Sequence, residues 1–291
     1  AVWRVECRMA IASGCFHTAA VNENGELFTW GATGALMHID EDHRILPTLV
    51  GGRNVFESRV VMTAAGKFIT VVVTEDGCLW ISGGEGDSGS EMPRLIMSKI
   101  GWLDGEKIAM AACGDEHTVV LTFGAHVYTW GDGSDAQLGQ GSYVSLVAPA
   151  IVHVPGEQNA DELPGDCLAS GPHDLKPLQN ASFVAAGARH SLVVTSRGNV
   201  WTWGHGGRGR LGHGDELHRL TPSILGGPML EGSLAAMAAG GGSHSVIVCQ
   251  DGAVFAWGCG LSGRLGLGIE SEAQLIPAAV CVGGQKCWGG G

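Results

Sequence analysis

Between residues 8 and 282 one arrangement of apolar and polar positions recurs five times. Each copy opens on a mainly apolar stretch (Met9–Ser13, Val61–Ala65, Ile108–Cys113, Phe183–Ala186, Leu234–Ala239) that predicts a first strand. A second run, His-Thr-Ala-Ala-Val at 17–21 or His-Ser-Leu-Val-Val at 190–194, predicts a buried strand. Asn22-Glu23-Asn24-Gly25, Glu75-Asp76-Gly77 and Gln250-Asp251-Gly252 then supply a tight hairpin turn, glycine providing the positive φ. The third strand alternates. Leu27, Leu79, Val127, Val200 and Val254 point to one side, and Phe28, Trp80, Tyr128, Trp201 and Phe255 to the other. Two residues further stand Trp30, Trp130, Trp203 and Trp257, expected to pack between neighbouring sheets, with Ser82 in the second copy. A last segment marked by Pro47, Pro93, Pro149, Pro222 or Pro277 predicts a fourth strand at the sheet edge, where a missing backbone N–H is tolerated.

A glycine frame fixes the repeat. Seventeen residues after Gly14, Gly66, Gly114, Gly187 and Gly241 come Gly31, Gly83, Gly131, Gly204 and Gly258. Three residues after the first anchor stands His17, His117, His190 or His244, with Ile69 in the second copy, and each is followed by a hydroxyl: Thr18, Thr70, Thr118, Ser191, Ser245. These histidines belong to different copies, so each is expected to bond backbone at its own junction rather than share an ion. The hairpin glycine is Gly25, Gly77, Gly198 or Gly252; the third copy has Gly124 one place early. A four-stranded antiparallel meander apolar on both faces cannot bury them alone, and radial stacking hides both. The expected fold is therefore all-β: a β-propeller of four-stranded antiparallel blades, one domain over 1–291, with repeats near 8–50, 60–98, 107–154, 182–226 and 234–282. Intervals between the second anchors are 52, 48, 73 and 54, and the long one places an insertion near 155–177.

Composition removes several classes. The 48 Gly follow no Gly-X-Y period and Pro totals 10, against collagen; nine Trp and many Val/Ile/Leu runs argue against disorder. With 17 Lys+Arg and a net charge of −12, direct binding of phosphate backbones is disfavoured. No run of 18 apolar residues predicts a membrane helix. The nine Cys contain no Cys-x-x-Cys pair and predict free thiols in a reducing compartment, cytoplasm or nucleus first, an organelle interior left open.

Gly-x-x-His-Thr, an aromatic-x-Trp-Gly strand, and the loops Gly131–Gly141, Gly204–Gly214 and Gly258–Gly268 resemble the repeat of the regulator of chromosome condensation family. The resemblance covers roughly 8–282 and implies a propeller, usually of seven blades. Five copies fall short of that number, which favours a piece of a longer propeller over closure with fewer blades. It also implies function through protein partners. The family's founding member promotes guanine-nucleotide exchange on a small GTPase with a propeller face and an inserted wedge. Here the one candidate wedge is the 155–177 insertion, whose Glu157, Asp161, Glu162, Asp166 and Asp174 depart from an apolar hairpin.

Other chemistries find little support. Gly86-Asp87-Ser88-Gly89-Ser90 resembles a protease nucleophile segment, but its repeat carries Ile69 where the others have His. The stretch Gly204–Gly214, with Arg208 and Arg210, lacks the following helix that a phosphate cradle requires. His205, His213, Asp215 and His218 have no familiar zinc spacing. Trp-based light sensing in this family uses a Gly-Trp-Arg-His-Thr slot, whose second position here is Cys15, Lys67, Asp115, Ala188 or Gly242. The expectation is a non-enzyme without cofactor or metal, a scaffold presenting rim loops to a protein partner. Arg208, Arg210, His213, Asp215 and Arg264 are its expected exposed contact residues, and exchange on a small GTPase is the alternative.

Overall fold

In a computed structural model of the protein, the residues described are 11–32, 35–38, 43–51, 55–83, 95–155, 175–226, 230 and 232–281. Gly86–Ser90, Pro93 and positions 156–174 of the insertion lie outside them. The chain divides into two compact units, Ala1–Gly124 and Ala125–Gly291. The first blade comprises β1 (Ile11–Ser13), β2 (His17–Val21), β3 (Leu27–Gly31) and β4 (Arg44–Leu49). The second comprises β5 (Val60–Ala65), β6 (Ile69–Thr74), β7 (Leu79–Gly83) and β8 (Leu95–Gly101). The third contains β9 (Ile108–Cys113), β10 (His117–Thr122), β11 (Val127–Gly131) and β12 (Leu146–Ile151). A short ladder of β13 (His153–Pro155) and β14 (Leu175–Pro177) stands at the base of the insertion. The fourth blade holds β15 (Ala181–Ala186), β16 (His190–Thr195), β17 (Val200–Gly204) and β18 (Arg219–Ile224). The fifth holds β19 (Ala235–Gly240), β20 (His244–Cys249), β21 (Val254–Gly258) and β22 (Gln274–Ala279). Strand order in every blade follows the chain, so the strands that carry Pro47, Pro149, Pro222 and Pro277 are sheet edges, as expected.

The constant glycine spacing is the length of one hairpin. His17 pairs with Gly31, Ile69 with Gly83, His190 with Gly204 and His244 with Gly258. The second glycine sits at φ 115°, 102°, 111°, 109° and 101° in successive blades. There the register to the fourth strand slips, and a Cβ on Gly31 would overlap the Phe16 carbonyl. In the third copy Ala125, not Gly124, takes the left-handed hairpin position, at φ 64°. Gly124 packs instead against the Glu106 carboxylate, which explains its displaced place in the sequence.

Within each unit the blades lie face to face. In the first, β1 lies against β5 and β5 against β9, and Ala19, Leu27, Phe56, Val72 and Trp80 fill the core between blades one and two. The Thr70 hydroxyl donates to the Ala35 carbonyl at 2.6 Å. Its one proton being used, it accepts from His17 Nε2–H at 2.7 Å. In the second unit β15 lies against β19 and the motif returns: His190 Nε2–H donates to Ser245 Oγ at 2.8 Å, and Ser245 to the Arg210 carbonyl at 2.8 Å. Trp257 Nε1 donates to that same carbonyl at 2.8 Å. One repeat earlier, Ser191 Oγ and Trp203 Nε1 both donate to the Gln137 carbonyl, at 2.8 and 2.9 Å. The expectation that the histidines bond backbone at their own junction is thus corrected for His17 and His190, which reach the hydroxyl of the following blade. Trp130, Trp203 and Trp257 are buried as expected, whereas Trp30, in the first blade, is only half-buried.

Cys15, Cys78, Cys113, Cys249 and Cys259 are free, but Cys281 is disulfide-bonded, against the expectation of thiols throughout. Among the described residues no helix is long and apolar enough to cross a membrane.

The anchor glycines are steric requirements. A Cβ on Gly187 would overlap the His190 ring and lie 2.6 Å from the Gly241 carbonyl; one on Gly242 meets nothing within 4 Å. Gly187→Ala is therefore expected to lower stability by more than about 3 kcal/mol, and Gly242→Ala to change it by about 0.5 kcal/mol or less. Urea unfolding of the two variants checks this contrast.

Candidate interaction surface

First and third strands of a meander run in the same direction, so the loops after them emerge at one end of the sheet. In the second unit this end gathers the third-to-fourth-strand loops 132–145, 205–218 and 259–273 with the tight turns 187–189 and 241–243. The β13–β14 ladder leaves from the other end, beside the hairpins, because Val152 N bonds Val127 O and Leu178 N bonds Val152 O.

Each long loop is braced from within. Asp132 accepts from Ser134 N at 3.0 Å, Ser134 Oγ at 2.8 Å, Gln137 Nε2 at 2.8 Å and Ser145 Oγ at 3.2 Å. Burial would raise its pKa, but these hydrogen bonds outweigh that and hold the carboxylate below its usual range. Thr129 and Thr202, buried on the third strands, donate to the carbonyls of Leu138 and Leu211 at 2.7 and 2.8 Å. His213 Nε2–H donates back to Thr202 Oγ1 at 2.9 Å, and burial drives this imidazole down to about 4. Arg210 lies flat in the loop, Nε on the Gly207 carbonyl and one terminal nitrogen on the Gly242 carbonyl, both at 3.0 Å. Two of the five expected rim residues are thus structural. Arg210 is 6% exposed and ties blade four to blade five, because it occupies the place that Gln137 holds one repeat earlier; His213 turns inward.

The other three meet solvent to different degrees. Arg208 is exposed at φ 63°, and its guanidinium reaches Cys259 Sγ at 3.5 Å. Burial alone would raise the Cys259 thiol, yet the Leu261 N–H and the Arg208 and Arg264 guanidiniums bring it below its ordinary value. Arg264 is exposed and held only through Nε on the Leu261 carbonyl at 2.7 Å. Asp215 is half-buried and paired with Arg219 at 2.6 Å. The set His205, His213, Asp215 and His218 does not converge, since each of the first three has turned to a separate partner.

Several surface residues had no mark in the repeat pattern. Asp135 receives Arg189 at 3.1 Å and faces His205 Nε2 at 3.8 Å. Burial, reinforced by the nearby Arg210 charge, lowers the His205 pKa. The His218 ring lies 4.4 Å from that of His205 and 6.4 Å from Tyr143. Tyr143, Val144, Leu217 and Ile269 project from the loop tips as exposed apolar side chains. In the first unit the corresponding turns carry Phe16 stacked on Phe68, ring centroids 5.5 Å apart, beneath the Lys67 ammonium. Loop tips lie off the alternating pattern, so their apolar residues read as noise in the sequence.

The model of the regulator of chromosome condensation (RCC1) repeat matches residues 125–194, 197–248 and 251–287, more than half of the chain, and a second RCC1 repeat model matches 111–137 and 182–210. The chain belongs to the RCC1 repeat family. Its RCC1 repeats are 31% identical over 279 residues to the ultraviolet-B receptor UVR8 of Arabidopsis thaliana, covering 93% of this chain and 57% of that one. They are 30% identical over 291 residues to the human E3 ubiquitin-protein ligase HERC2, covering 96% of this chain and 5% of that one. The chain spans little more than half of the first of these relatives and a small part of the second. Among solved structures, human WBSCR16 superposes with a TM-score of 0.56 at 18% identity, covering 93% of this chain and 81% of that one. Prp20p of Saccharomyces cerevisiae, described with its binding to Gsp1p and histones, gives 0.56 at 20% identity, covering 93% and 76%. Both likenesses support the RCC1 propeller fold.

Two measurements separate bracing from display. Arg210→Ala should cost about 2 kcal/mol in chemical unfolding, and Arg208→Ala less than about 0.5 kcal/mol. Burial likewise drives His17 down to about 4. His17 and His213 are therefore neutral when folded but take up protons near pH 6.5 when unfolded. The unfolded state binds more protons between those values, so stability falls as pH drops from about 6.5 to about 4, by up to about 3 kcal/mol per ring, and flattens below. Thermal midpoints across this window should slope less in His17→Gln/His213→Gln than in the natural chain.

Proposed function

We propose that the chain is a non-catalytic interaction module whose protein partner docks on the loop end of blades three to five. The observation that carries this reading is the division of labour inside the loops. Asp132, Arg210 and His213 spend their polar atoms on the loops themselves. Arg208, Arg264, Tyr143, Leu217 and Ile269 meet solvent. Loops fixed beforehand lose little entropy on binding, and apolar tips beside arginines have the composition of a protein interface core and rim. None of the five slots that open on the first anchor glycine holds a Trp in its second position, which argues against light sensing of the kind that UVR8 is named for. The free thiols at Cys15, Cys78, Cys113, Cys249 and Cys259 support a reducing compartment, cytoplasm or nucleus, while the disulfide at Cys281 weighs against it.

The test is quantitative capture from an extract of the source cells with three baits: the natural chain, Arg208→Glu/Arg264→Glu, and Arg197→Glu on an opposite-end hairpin. A partner held by the first and third but lost from the second is the expected result. Retention by the double variant overturns the assignment. So does acceleration of nucleotide release from a small GTPase by substoichiometric protein, which would establish the exchange alternative.

A further inference from the structure

At the hairpin end of the first unit, the connection from β8 to β9 folds into a small hairpin of its own. Leu103 N donates to the Glu106 carbonyl at 3.1 Å, and Glu106 N to the Leu103 carbonyl at 2.8 Å. Asp104 and Gly105 close it at φ 49° and 80°, the pair of positive values that an Asp-Gly sequence favours in a two-residue turn. Leu103 is buried and anchors the hairpin, so the flanking Trp102 and Lys107 stand at fixed places. Lys107 is held from two further sides: its stem packs on Gly77 of the β6–β7 turn, and its carbonyl accepts Phe123 N at 2.9 Å. Two rings nevertheless meet water here, Trp102 at 50% exposure and Phe123 at 74%. An indole held by a rigid turn loses little freedom on binding, and tryptophan is prominent among the residues that dominate protein interfaces.

The charge around these rings decides what they fit. Glu57, Glu75, Asp76, Asp104 and Glu106 stand on these turns and on the β4–β5 connection beside them, against Lys99 and Lys107. Lys99 is paired with Glu57 at 2.6 Å, and the neighbouring Arg59 turns to the carbonyls of Glu23 and Asn24. The Lys107 ammonium lies 5.8 Å from the centre of the Trp102 ring, so the chain already uses that ring face as a platform for a cation. We infer that this end of the first unit docks a basic segment of a protein partner, with an arginine stacked on Trp102, apolar residues against Phe123, and further cations on Glu75 and Asp104. A planar guanidinium covers a ring face that an ammonium only touches, and it reaches a carboxylate at the same time. The same carboxylates repel nucleic acid and anionic lipid. The surface shares no residue with the loop end proposed above.

Selection from a library of random peptides displayed on phage tests the inference. Peptides enriched on the natural chain and lost on Trp102→Ala are expected to be rich in arginine and lysine. In titrations such peptides should bind at least about tenfold more weakly to Trp102→Ala, and about fivefold more weakly to Glu75→Gln/Asp104→Asn. Salt should weaken binding to the natural chain more steeply than binding to that double variant. Trp102 meets solvent and asparagine tolerates the positive φ of Asp104, so circular dichroism and the thermal midpoint should be unchanged. Should Trp102→Ala fail to fold, Phe123→Ser replaces it in the selection. The inference is overturned if no enriched peptide depends on Trp102, if those that do are neutral or acidic, or if the double variant binds them as tightly as the natural chain. Cosedimentation with phosphatidylcholine vesicles that is lost in Trp102→Ala also overturns it, since the rings would then belong to a lipid surface.

Discussion

A sheet with two apolar faces must be covered on both, and in this protein the joint between covers is a single backbone carbonyl. Gln137 and Arg210 each offer a carbonyl oxygen that accepts a hydroxyl and an indole N–H from the following blade. Dispersion and hydrophobic burial between sheets are strong but have no direction, and strands that slide by two residues lose little of either. Two donors converging on one oxygen, buried where water cannot replace them, fix the relative height and tilt of adjacent blades. The histidine behind the hydroxyl completes the joint and sets its own tautomer in doing so.

The same joint explains much of the repeat's composition. The anchor glycine exists because the histidine ring and the next blade's anchor carbonyl occupy the space a Cβ would need, at Gly14 as at Gly187. The second glycine exists because the chain must turn through positive φ while the first-to-second-strand turn presses on it. Small and hydroxyl residues are therefore dictated by neighbours that lie a whole repeat away. This is why the motif survives in a chain whose loop tips vary freely from Tyr143 to Leu217 to Ile269.

Strand identity, the edge position of the proline strands and the burial of Trp130, Trp203 and Trp257 were legible because they follow from period two and a glycine frame. Partners were not. Whether His190 bonds its own turn or a hydroxyl of the next blade is a matter of distances between sheets, which periodicity does not encode. Arg210 read as a rim residue because arginine is seldom buried; only the geometry shows two carbonyls waiting for its guanidinium. The buried threonines Thr129 and Thr202 carry no mark in the sequence beside their aromatic neighbours, although they close the loops that carry the surface. Of the five residues expected at that surface, Arg208 and Arg264 are exposed, and their role as contacts belongs to the proposal.

A double-mutant cycle on His190→Ala and Ser245→Ala tests the joint most directly, since the two side chains sit on different blades and meet at 2.8 Å. If the joint holds the blades as described, the two losses of unfolding free energy are non-additive by about 1–2 kcal/mol. Losses that add to within about 0.3 kcal/mol would contradict it, and would leave the blades held by apolar packing alone.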